Sequence, residues 1–388
     1  MYGIQRCCFF RTDMIQYAAM NFKLGELFCG AGGIGWAASQ AKVCHNNEVY
    51  RITPTWANDK DPEACGTYDY NVHGNQGREK GLVVPKAVDA FMAEDLPALP
   101  LIDAFAFGFP CNDYSHVGER KGLEGDYGRL YLHGVEVLRR RRPRWFLAEN
   151  VGGLRSASGG MALKQIMQEL SEAGPGYRLI AHRYKFEEYD VPQRRHRIIM
   201  VGISQEEPEQ LMFRVPEPTN PLKPITAREA IEQPPITVDA LNHEYSRQTK
   251  RVIARLIHTP AGKNAWCDDI PEEYRLHVKT AHLSQIYKRL EADKPAYTLT
   301  GSGGGGTHGY HWLEPRALTN RERARLQSFP DHFRFLGRKE SVRRQIGMAV
   351  PPSGVKIIFE AILKTFAGVE YASVDSNMPN LLQEALEL

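Results

Sequence analysis

The chain has 388 residues, of which 42% are hydrophobic and 24% are charged, and its formal net charge is +3. This length can hold one large α/β domain and a smaller one, and the composition is that of a globular protein. No apolar run approaches the roughly 18 residues that a membrane span needs, and the first residues lack the apolar stretch of a secretory signal. So small a net charge does not by itself indicate a nucleic-acid ligand.

The seven cysteines include no C-x-x-C pair. Their odd number and their spacing argue against a disulfide framework and against a zinc site. We therefore expect a protein of a reducing compartment with no metal site.

Strands and helices alternate along the chain through residue 203. The predicted strands are 22–28, 49–58, 104–109, 145–148 and 197–201. The predicted helices are one that begins at Trp36 and those at 61–70, 130–142 and 162–173. The helix at 61–70 has Asp61 as its predicted N-cap and Pro62 at its first position. Repeated strand–helix units predict an α/β fold with a doubly wound, mostly parallel sheet.

Residues 205–335 are rich in proline, glycine and basic residues and lack this alternation. Within them, the glycines of 300–309 predict a loop, because glycine adopts backbone angles that regular structure does not use. We expect a smaller, irregular domain at 205–335. The predicted remainder is an N-terminal extension at 1–21, a main domain built from 22–204 and 345–388, and a hinge at 336–344.

A glycine-rich turn follows the first predicted strand. Gly30 to Gly35 matches the pattern G-x-G-x-x-G and precedes a helix, which indicates a nucleotide-type cofactor at the first strand–helix turn. Asp59, just beyond the second predicted strand, is placed to bind ribose hydroxyls. This pattern leaves two cofactors open, the NAD of a dehydrogenase and S-adenosylmethionine.

Cys111 follows the third predicted strand and Pro110. The carboxyl end of a strand in an α/β sheet is where reactive groups meet a ligand, so Cys111 is a candidate nucleophile. Taken alone, a free cysteine is more often a small hydrophobic residue of the core.

Six short motifs follow one another along the chain, and their order is informative. They are 27–33 (LFCGAGG), 108–115 (GFPCNDYS), 148–151 (AENV), 193–197 (QRRHR), 316–331 (RALTNRERARLQSFPD) and 345–352 (QIGMAVPP). Together they closely resemble the ordered motifs of the DNA cytosine-5 methyltransferases of bacterial restriction–modification systems. The resemblance extends over residues 22–365 and implies the fold of the methyltransferases that depend on S-adenosylmethionine.

The resemblance implies catalytic roles for four residues. Cys111 is similar to the thiol that adds to C6 of cytosine, an addition that makes C5 nucleophilic by interrupting the aromatic ring. Glu149 resembles the acid that hydrogen-bonds the exocyclic amine and protonates ring N3. Arg195 and Arg197 match two arginines, one of which is expected at O2 of the cytosine.

The cofactor that the resemblance implies is S-adenosylmethionine. The residues expected at its site are Phe28, Gly30, Gly32, Asp59, Asp89, Pro110, Leu130 and Val350. Asp59 would bind the ribose hydroxyls and Asp89 the adenine amino group. Pro110 and Leu130 would touch the methionine part of the cofactor.

The substrate that the resemblance implies is double-stranded DNA, with the target cytosine flipped out of the helix. Residues 112–128 resemble the loop that closes over the flipped base, and 205–335 would be the target-recognition domain. The residues expected at DNA are Ser115, Arg120, Lys121, Gln193, Thr298, Thr300 and Gly301. The basic runs at 139–144 and 316–325 could also bind phosphates, or they could be solvated helix faces.

Two positions depart from the motifs of the family. Met348 stands where asparagine is usual, so a thioether replaces an amide that could hydrogen-bond near the cofactor. Asn112 stands where glutamine is common. This shorter amide would reach less far into the gap that the flipped base leaves.

Two other functions on this fold remain open. A tRNA cytosine-5 methyltransferase would share the catalytic residues, but its family carries a Cys-Phe-Thr segment that this sequence lacks. A silent DNA-binding repressor would have no need of Cys111, Glu149 and Arg195. We expect a monomeric enzyme that acts on DNA in the bacterial cytoplasm, without a membrane partner. It would protect host DNA against a cognate endonuclease, a functional partner that it does not bind.

Overall fold

The computed structural model describes residues 18–109, 129–277, 284–301 and 306–378. The predictions made for particular residues between 110 and 128 lie outside the described residues. They concern Pro110, Cys111, Asn112, Ser115, Arg120 and Lys121.

The described residues form twelve strands and ten α-helices. The strands are β1 Ala18–Leu27, β2 Lys42–His45, β3 Glu48–Asp59, β4 Val83–Pro85, β5 Ala104–Gly108, β6 Trp145–Val151, β7 Tyr177–Lys185, β8 Gln193–Arg194, β9 His196–Ser204, β10 Val215–Pro216, β11 Ala296–Tyr297 and β12 Ser373–Val374. The α-helices are α1 Gly33–Gln40, α2 Pro62–Val72, α3 Val88–Ala90, α4 Tyr131–Arg141, α5 Met161–Ser171, α6 Ala227–Glu232, α7 Lys250–Ile257, α8 Asn320–Leu326, α9 Lys339–Met348 and α10 Pro352–Ala367. A π-helical turn covers Phe91–Asp95, and 3-10 segments cover Leu96–Ala98, Gly152–Gly160, Phe186–Glu188 and Glu272–Tyr274.

Eight of the strands form one sheet in the order β2-β3-β1-β5-β6-β9-β7, with β4 paired to β3 beside β2. The pairs β1–β3, β1–β5, β3–β4 and β5–β6 are parallel. Only β2 and β9 run against their neighbours. The predicted α/β fold with a mostly parallel sheet is therefore confirmed.

The sheet is covered on both faces, as a doubly wound fold requires. Along β5, Phe105 and Phe107 belong to one apolar cluster, and Ala104 and Ala106 belong to the other. This division follows from the alternation of side chains along a strand. The first cluster packs against α4 and α5, and the second packs against α1 and α10. The motifs 27–33, 108–115 and 148–151 lie at the carboxyl ends of β1, β5 and β6.

One stretch of the described residues, Lys339–Ala367, is long and apolar enough to cross a membrane by composition alone. It consists of two helices, α9 and α10, and 67% of its most apolar window is buried inside the protein. Phe359 and Ile362 of α10 lie in the second cluster. This is the pattern of a helix that packs in a core.

β1 begins at Ala18 rather than at 22. Residues Ala18 to Asn21 pair with Glu48 to Arg51 of β3. The same residues of β3 form the hairpin with β2. Residues 18–21, which we assigned to an extension, therefore belong to the sheet, and that boundary is corrected. The N-cap prediction is confirmed, because the Asp61 carboxylate accepts from the amides of Glu63 and Ala64.

Two strands differ from the prediction: β7 was not predicted, and β6 extends beyond its predicted end at Ala148. β7 is an edge strand in which half-buried polar residues such as Arg178 and Arg183 interrupt the apolar pattern. β6 continues through Glu149 to Val151, because β9 pairs with it up to Arg197. The candidate acid thus lies inside a strand rather than after one.

Residues 205–335 contain little regular structure and have their own apolar clusters. Phe329 and Phe333, which we placed in this region, instead pack with Ala31 and Trp36 of the glycine-rich turn and α1. The final part of the predicted recognition region therefore rests on the cofactor end of the main domain.

Candidate active site and cofactor site

The glycine-rich turn is held by Asp59 at the end of β3. The Gly30 amide donates to Oδ2 of Asp59 at 2.9 Å, and the Asp61 amide donates to Oδ1 at 2.9 Å. Gly32 has a φ of 96° and forms the N-cap of α1. That backbone angle lies in the left-handed region, which a residue with a Cβ enters at a cost. Two amides thus fix the carboxylate beside the turn.

Val350 lies directly against the start of α1. A Cβ on Gly33 would come within 2.2 Å of the Val350 carbonyl oxygen, so the two backbones meet only because residue 33 is glycine. Phe28 and Leu130 are half-buried against the first apolar cluster. A Cβ on Gly30 would meet nothing within 4 Å. Gly30 therefore borders open space next to the turn.

Asp89 is exposed at the protein surface. Its side chain is 83% exposed, and one carboxylate oxygen lies 3.3 Å from Nε2 of His133 on α4. It follows β4 by several residues and lies in the first turn of α3. The adenine role of Asp89 stays a prediction.

Glu149 is a buried acid paired with an arginine. Its side chain is 10% exposed, and Oε1 lies 2.9 Å from Nε of Arg197. Burial raises the pKa of Glu149, although the charges of Arg197 and Arg195 act in the opposite direction. Desolvation disfavours the charged form of a carboxyl group and therefore favours a bound proton.

Arg195 is two residues before Arg197 and is fully enclosed. Nη1 donates to the Leu299 carbonyl at 3.4 Å, and Nη2 donates to the Gly347 carbonyl at 2.9 Å. Burial lowers the pKa of Arg195. Arg195 thus joins the segment before the glycine loop to the end of α9, while Arg197 faces the acid.

Asn150, to which we assigned no role from the sequence, follows Glu149 on β6. Its Nδ2 donates to the Phe109 carbonyl at 3.2 Å, and its Oδ1 accepts from the Val151 amide at 2.8 Å. Phe109 immediately precedes Pro110 and Cys111. Asn150 therefore ties the chain that leads to the predicted nucleophile to the strand that carries Glu149. The motif 148–151 contains Asn150, so the sequence did offer a signal for this residue.

A family model described as C-5 cytosine-specific DNA methylase matches residues 22–364. The chain belongs to this family. Type II methyltransferase M.BbvI of Brevibacillus brevis is 54% identical over 369 residues, which cover 92% of this chain and 95% of that protein. Type II methyltransferase M.NgoFVII of Neisseria gonorrhoeae is 38% identical, over 91% of this chain and 89% of that protein.

Solved structures agree on the fold. A methyltransferase of Entamoeba histolytica, EhMeth, has a TM-score of 0.59 and 13% identity over 89% of this chain and 99% of that chain. A putative DNA modification methyltransferase from an E. coli prophage has a TM-score of 0.56 and 22% identity over the same shares of the two chains. Identities this low support the fold alone.

The region predicted to recognise the target contacts the strands of the main domain. β11 pairs with β8, and Oγ1 of Thr298 donates to the Arg194 carbonyl at 2.5 Å. A Cβ on Gly347 would come within 2.1 Å of the Gly301 amide nitrogen, so these two backbones touch. Met348, next to this contact, is 68% exposed.

Gln193 links two other segments of the protein. It is completely buried, its Nε2 donates to the Leu326 carbonyl at 3.3 Å, and its Oε1 accepts from the Leu299 amide at 3.1 Å. Its side-chain amide is thus used inside the protein, and the DNA contact stays a prediction. Thr298 and Thr300 are half-buried, and Gly301 is buried.

The two basic runs of the methyltransferase are largely used within the protein. In the run at 139–144, Arg140 pairs with Glu136, and Arg142 and Arg144 pair with acids that follow β9. In the run at 316–325, Arg321 is completely buried and binds main-chain carbonyls. In the first run, Arg139, Arg140 and Arg142 nevertheless keep 58%, 49% and 50% of their side chains exposed.

Proposed function

We propose that this enzyme transfers a methyl group from S-adenosylmethionine to C5 of cytosine in a specific sequence of double-stranded DNA. The reaction would proceed through a covalent bond between Cys111 and C6 of a flipped base. The observation that carries this proposal is the buried pair of Glu149 and Arg197, joined at 2.9 Å. A proton donor and a cation held together fit the N3 and O2 positions of one cytosine ring.

Glu149 supplies the proton in this proposal. Burial raises its pKa, and Arg197 occupies Oε1, so Oε2 is the oxygen that can carry the proton. Oε2 is directed toward Gly108 at the end of β5, 3.2 Å from where a Cβ on that glycine would lie. Protonation of N3 would relieve the negative charge that develops as the thiolate adds to C6.

Arg197, rather than Arg195, is the arginine that we place at O2. The terminal nitrogens of Arg195 are both bound to carbonyls of other segments. The guanidinium of Arg197 lies beside Glu149 with 13% of its side chain exposed. A fixed positive charge in a dry site stabilises an oxygen that becomes negative during the reaction.

The nucleophile in this proposal is Cys111. Asn150 holds the Phe109 carbonyl and so anchors the chain just before Cys111. Base flipping is required, because C6 and C5 cannot be approached from the two faces of a stacked ring. The loop 112–128, with Ser115, Arg120 and Lys121, would close over the flipped base and its phosphates.

The residues around the glycine-rich turn would hold the cofactor. Asp59 would bind the ribose hydroxyls beside Gly30, and Phe28, Leu130 and Val350 would line the apolar parts. When bound, S-adenosylmethionine supplies the electrophilic methyl group that C5 accepts. The chain's own contribution is a rigid turn, a fixed carboxylate and an apolar wall that excludes water.

The biological role we propose is protection of host DNA against a cognate restriction endonuclease. The support is the similarity to relatives named type II methyltransferases. Such an enzyme would work as a monomer in the bacterial cytoplasm, and the endonuclease would share its sequence specificity without binding it. Thr298, Thr300 and Gly301 would lie near the target phosphates.

Plasmid DNA tests the proposal directly. The purified protein is incubated with plasmid and S-adenosylmethionine, and 5-methylcytosine is mapped by bisulfite sequencing. We expect methylation at one position of a single recognition sequence, and none when the cofactor is omitted. Unmodified plasmid together with methylated tRNA would contradict the proposed substrate, and methylation scattered over all cytosines would contradict the proposed specificity.

A further inference from the structure

A buried acid, Glu26, lies near the end of β1, close beneath the glycine-rich turn. It is 1% exposed, and the Tyr68 hydroxyl of α2 donates to its Oε2 at 3.1 Å. The Gly35 backbone of α1 also hydrogen-bonds Glu26. Burying a carboxyl group costs folding free energy unless it is neutral or well paired. The mechanism above does not use either Glu26 or Tyr68.

The glycine-rich turn rests on the ring of Tyr68. A Cβ on Gly35 would come within 2.4 Å of the Tyr68 hydroxyl oxygen, and one on Gly32 would come within 2.9 Å of Cδ2. Tyr68 itself is completely buried. The position of the turn is therefore set by this ring, and the hydrogen bond to Glu26 sets the position of the ring.

Asp59 connects the same cluster to the cofactor side. Its carboxylate holds the Gly30 amide at 2.9 Å, and its negative charge acts on Glu26. Two buried thiols complete the cluster. Cys65 lies 3.4 Å from the Asp59 carbonyl oxygen, and Cys29 lies 3.7 Å from the Gly30 carbonyl oxygen.

We propose that Glu26 and Tyr68 are positioning residues for the methyl donor, holding the glycine-rich turn and Asp59 in the conformation that binds it. This inference rests on the proposed cofactor site. Neither residue touches the cofactor, since both are enclosed below the turn. Their effect would be on the affinity for the donor and not on the rate of the chemical step.

The protonation of Glu26 provides a readout that packing alone would not give. Burial raises the pKa of Glu26 to about 8, and the charge of Asp59 acts in the same direction. The titratable groups that face it are Tyr68 and Cys65 of α2, Asp59 of β3 and Cys29 of the turn. Near neutral pH, Glu26 is therefore protonated. When it loses this proton, a second negative charge forms next to Asp59.

Calorimetric binding of S-adenosylhomocysteine between pH 6.5 and 9.5 tests the inference. In the natural protein, affinity should fall as the pH rises through about 8. In Glu26→Gln, which mimics the neutral acid, this additional fall should be absent. The ligand's own amine titrates equally in both experiments, so the difference between the two curves reports Glu26.

Tyr68→Phe should weaken binding by about three- to tenfold, the worth of one hydrogen bond, with KM for the donor raised and kcat unchanged. The matched control is Tyr70→Phe on the same helix, where the tyrosine is 39% exposed. The control should bind like the natural protein.

Unfolding of the ligand-free proteins provides a second measurement. Because the folded pKa of Glu26 is raised, its contribution to stability is complete below the unfolded pKa and is lost as the pH rises through about 8. Glu26→Gln should therefore gain stability relative to the natural protein between about pH 5 and 8.

Identical pH profiles for Glu26→Gln and the natural protein would overturn the inference, as would a Tyr68→Phe variant altered in kcat alone. If the natural protein bound no S-adenosylhomocysteine at any pH, the proposed cofactor site would fail instead. The two failures are thus distinct.

Discussion

Arg195 and Arg197 lie two positions apart on the same stretch of chain, and their surroundings give them different tasks. Arg195 binds the Gly347 carbonyl at 2.9 Å, whereas Arg197 lies 2.9 Å from the Glu149 carboxylate. Loss of Arg195 would loosen the junction between two segments of the fold. Loss of Arg197 would remove the positive charge that lies beside Glu149.

Substitution of the proposed nucleophile is the most direct test at this scale. Cys111→Ser should abolish turnover but retain DNA binding, because a serine hydroxyl is far less ionised than a thiol near neutral pH. Methyl transfer is measured with labelled cofactor, and binding is measured by electrophoretic mobility shift. Methylation by this variant at more than a trace of the natural rate would exclude Cys111 as the nucleophile.

Glu149 should determine how kcat falls on the alkaline side of its pH profile. Since burial raises its pKa, the protonated form persists to higher pH than for an exposed carboxyl, and kcat should fall as the pH rises through that pKa. Glu149→Gln keeps a hydrogen-bonding amide but has no proton to transfer. We expect a loss of about 10²–10⁴-fold and the disappearance of this alkaline fall.

Glu136→Gln on α4 is the matched control, because Glu136 is a surface residue that pairs with Arg140. Its rate should stay near that of the natural enzyme. A Glu149→Gln variant with the natural pH profile would show that the alkaline fall belongs to another group.

At the scale of the elements, β1 determines how much of the N-terminus can be removed. Deletion of residues 1–17 should leave thermal stability and activity intact, because the strand begins at Ala18. Deletion of residues 1–24 should yield insoluble protein, because it also removes Phe22 and Leu24, which are 1% and 0% exposed in the second apolar cluster. Circular dichroism melting distinguishes the two truncations. An inactive but folded protein lacking 1–17 would show that the leader takes part in DNA contact.

At the scale of the whole molecule, the covalent route and the recognition domain can be tested together. A duplex with 5-fluorocytosine at the target position should trap the enzyme after methyl transfer, because fluorine cannot leave as a proton does. The adduct should require S-adenosylmethionine, survive denaturing electrophoresis and map to a peptide containing Cys111. It should form only on the recognition sequence, since contacts from residues 205–335 would stabilise the flipped base.

Unrelated duplexes containing 5-fluorocytosine serve as the control. Adduct formation on them at the same rate would refute the role given to residues 205–335. A duplex that is methylated in its normal form but gives no adduct would refute the covalent route.

The sequence by itself determined the alternation of strands and helices, the glycine-rich turn, and the family through its ordered motifs. These features depend on local periodicity and on residues that stand next to one another, such as Asp61 before Pro62. The tertiary structure alone decided which polar residues are buried. Gln193 and Arg195 read as DNA-facing or catalytic residues in the sequence, yet the carbonyls that they bind belong to segments more than 100 residues away. The sequence gives no sign of a role for Glu26, whose interactions with Tyr68, Gly35 and Asp59 exist only in the folded chain. A hydrogen bond between distant segments leaves no local pattern, so only the folded chain reveals it.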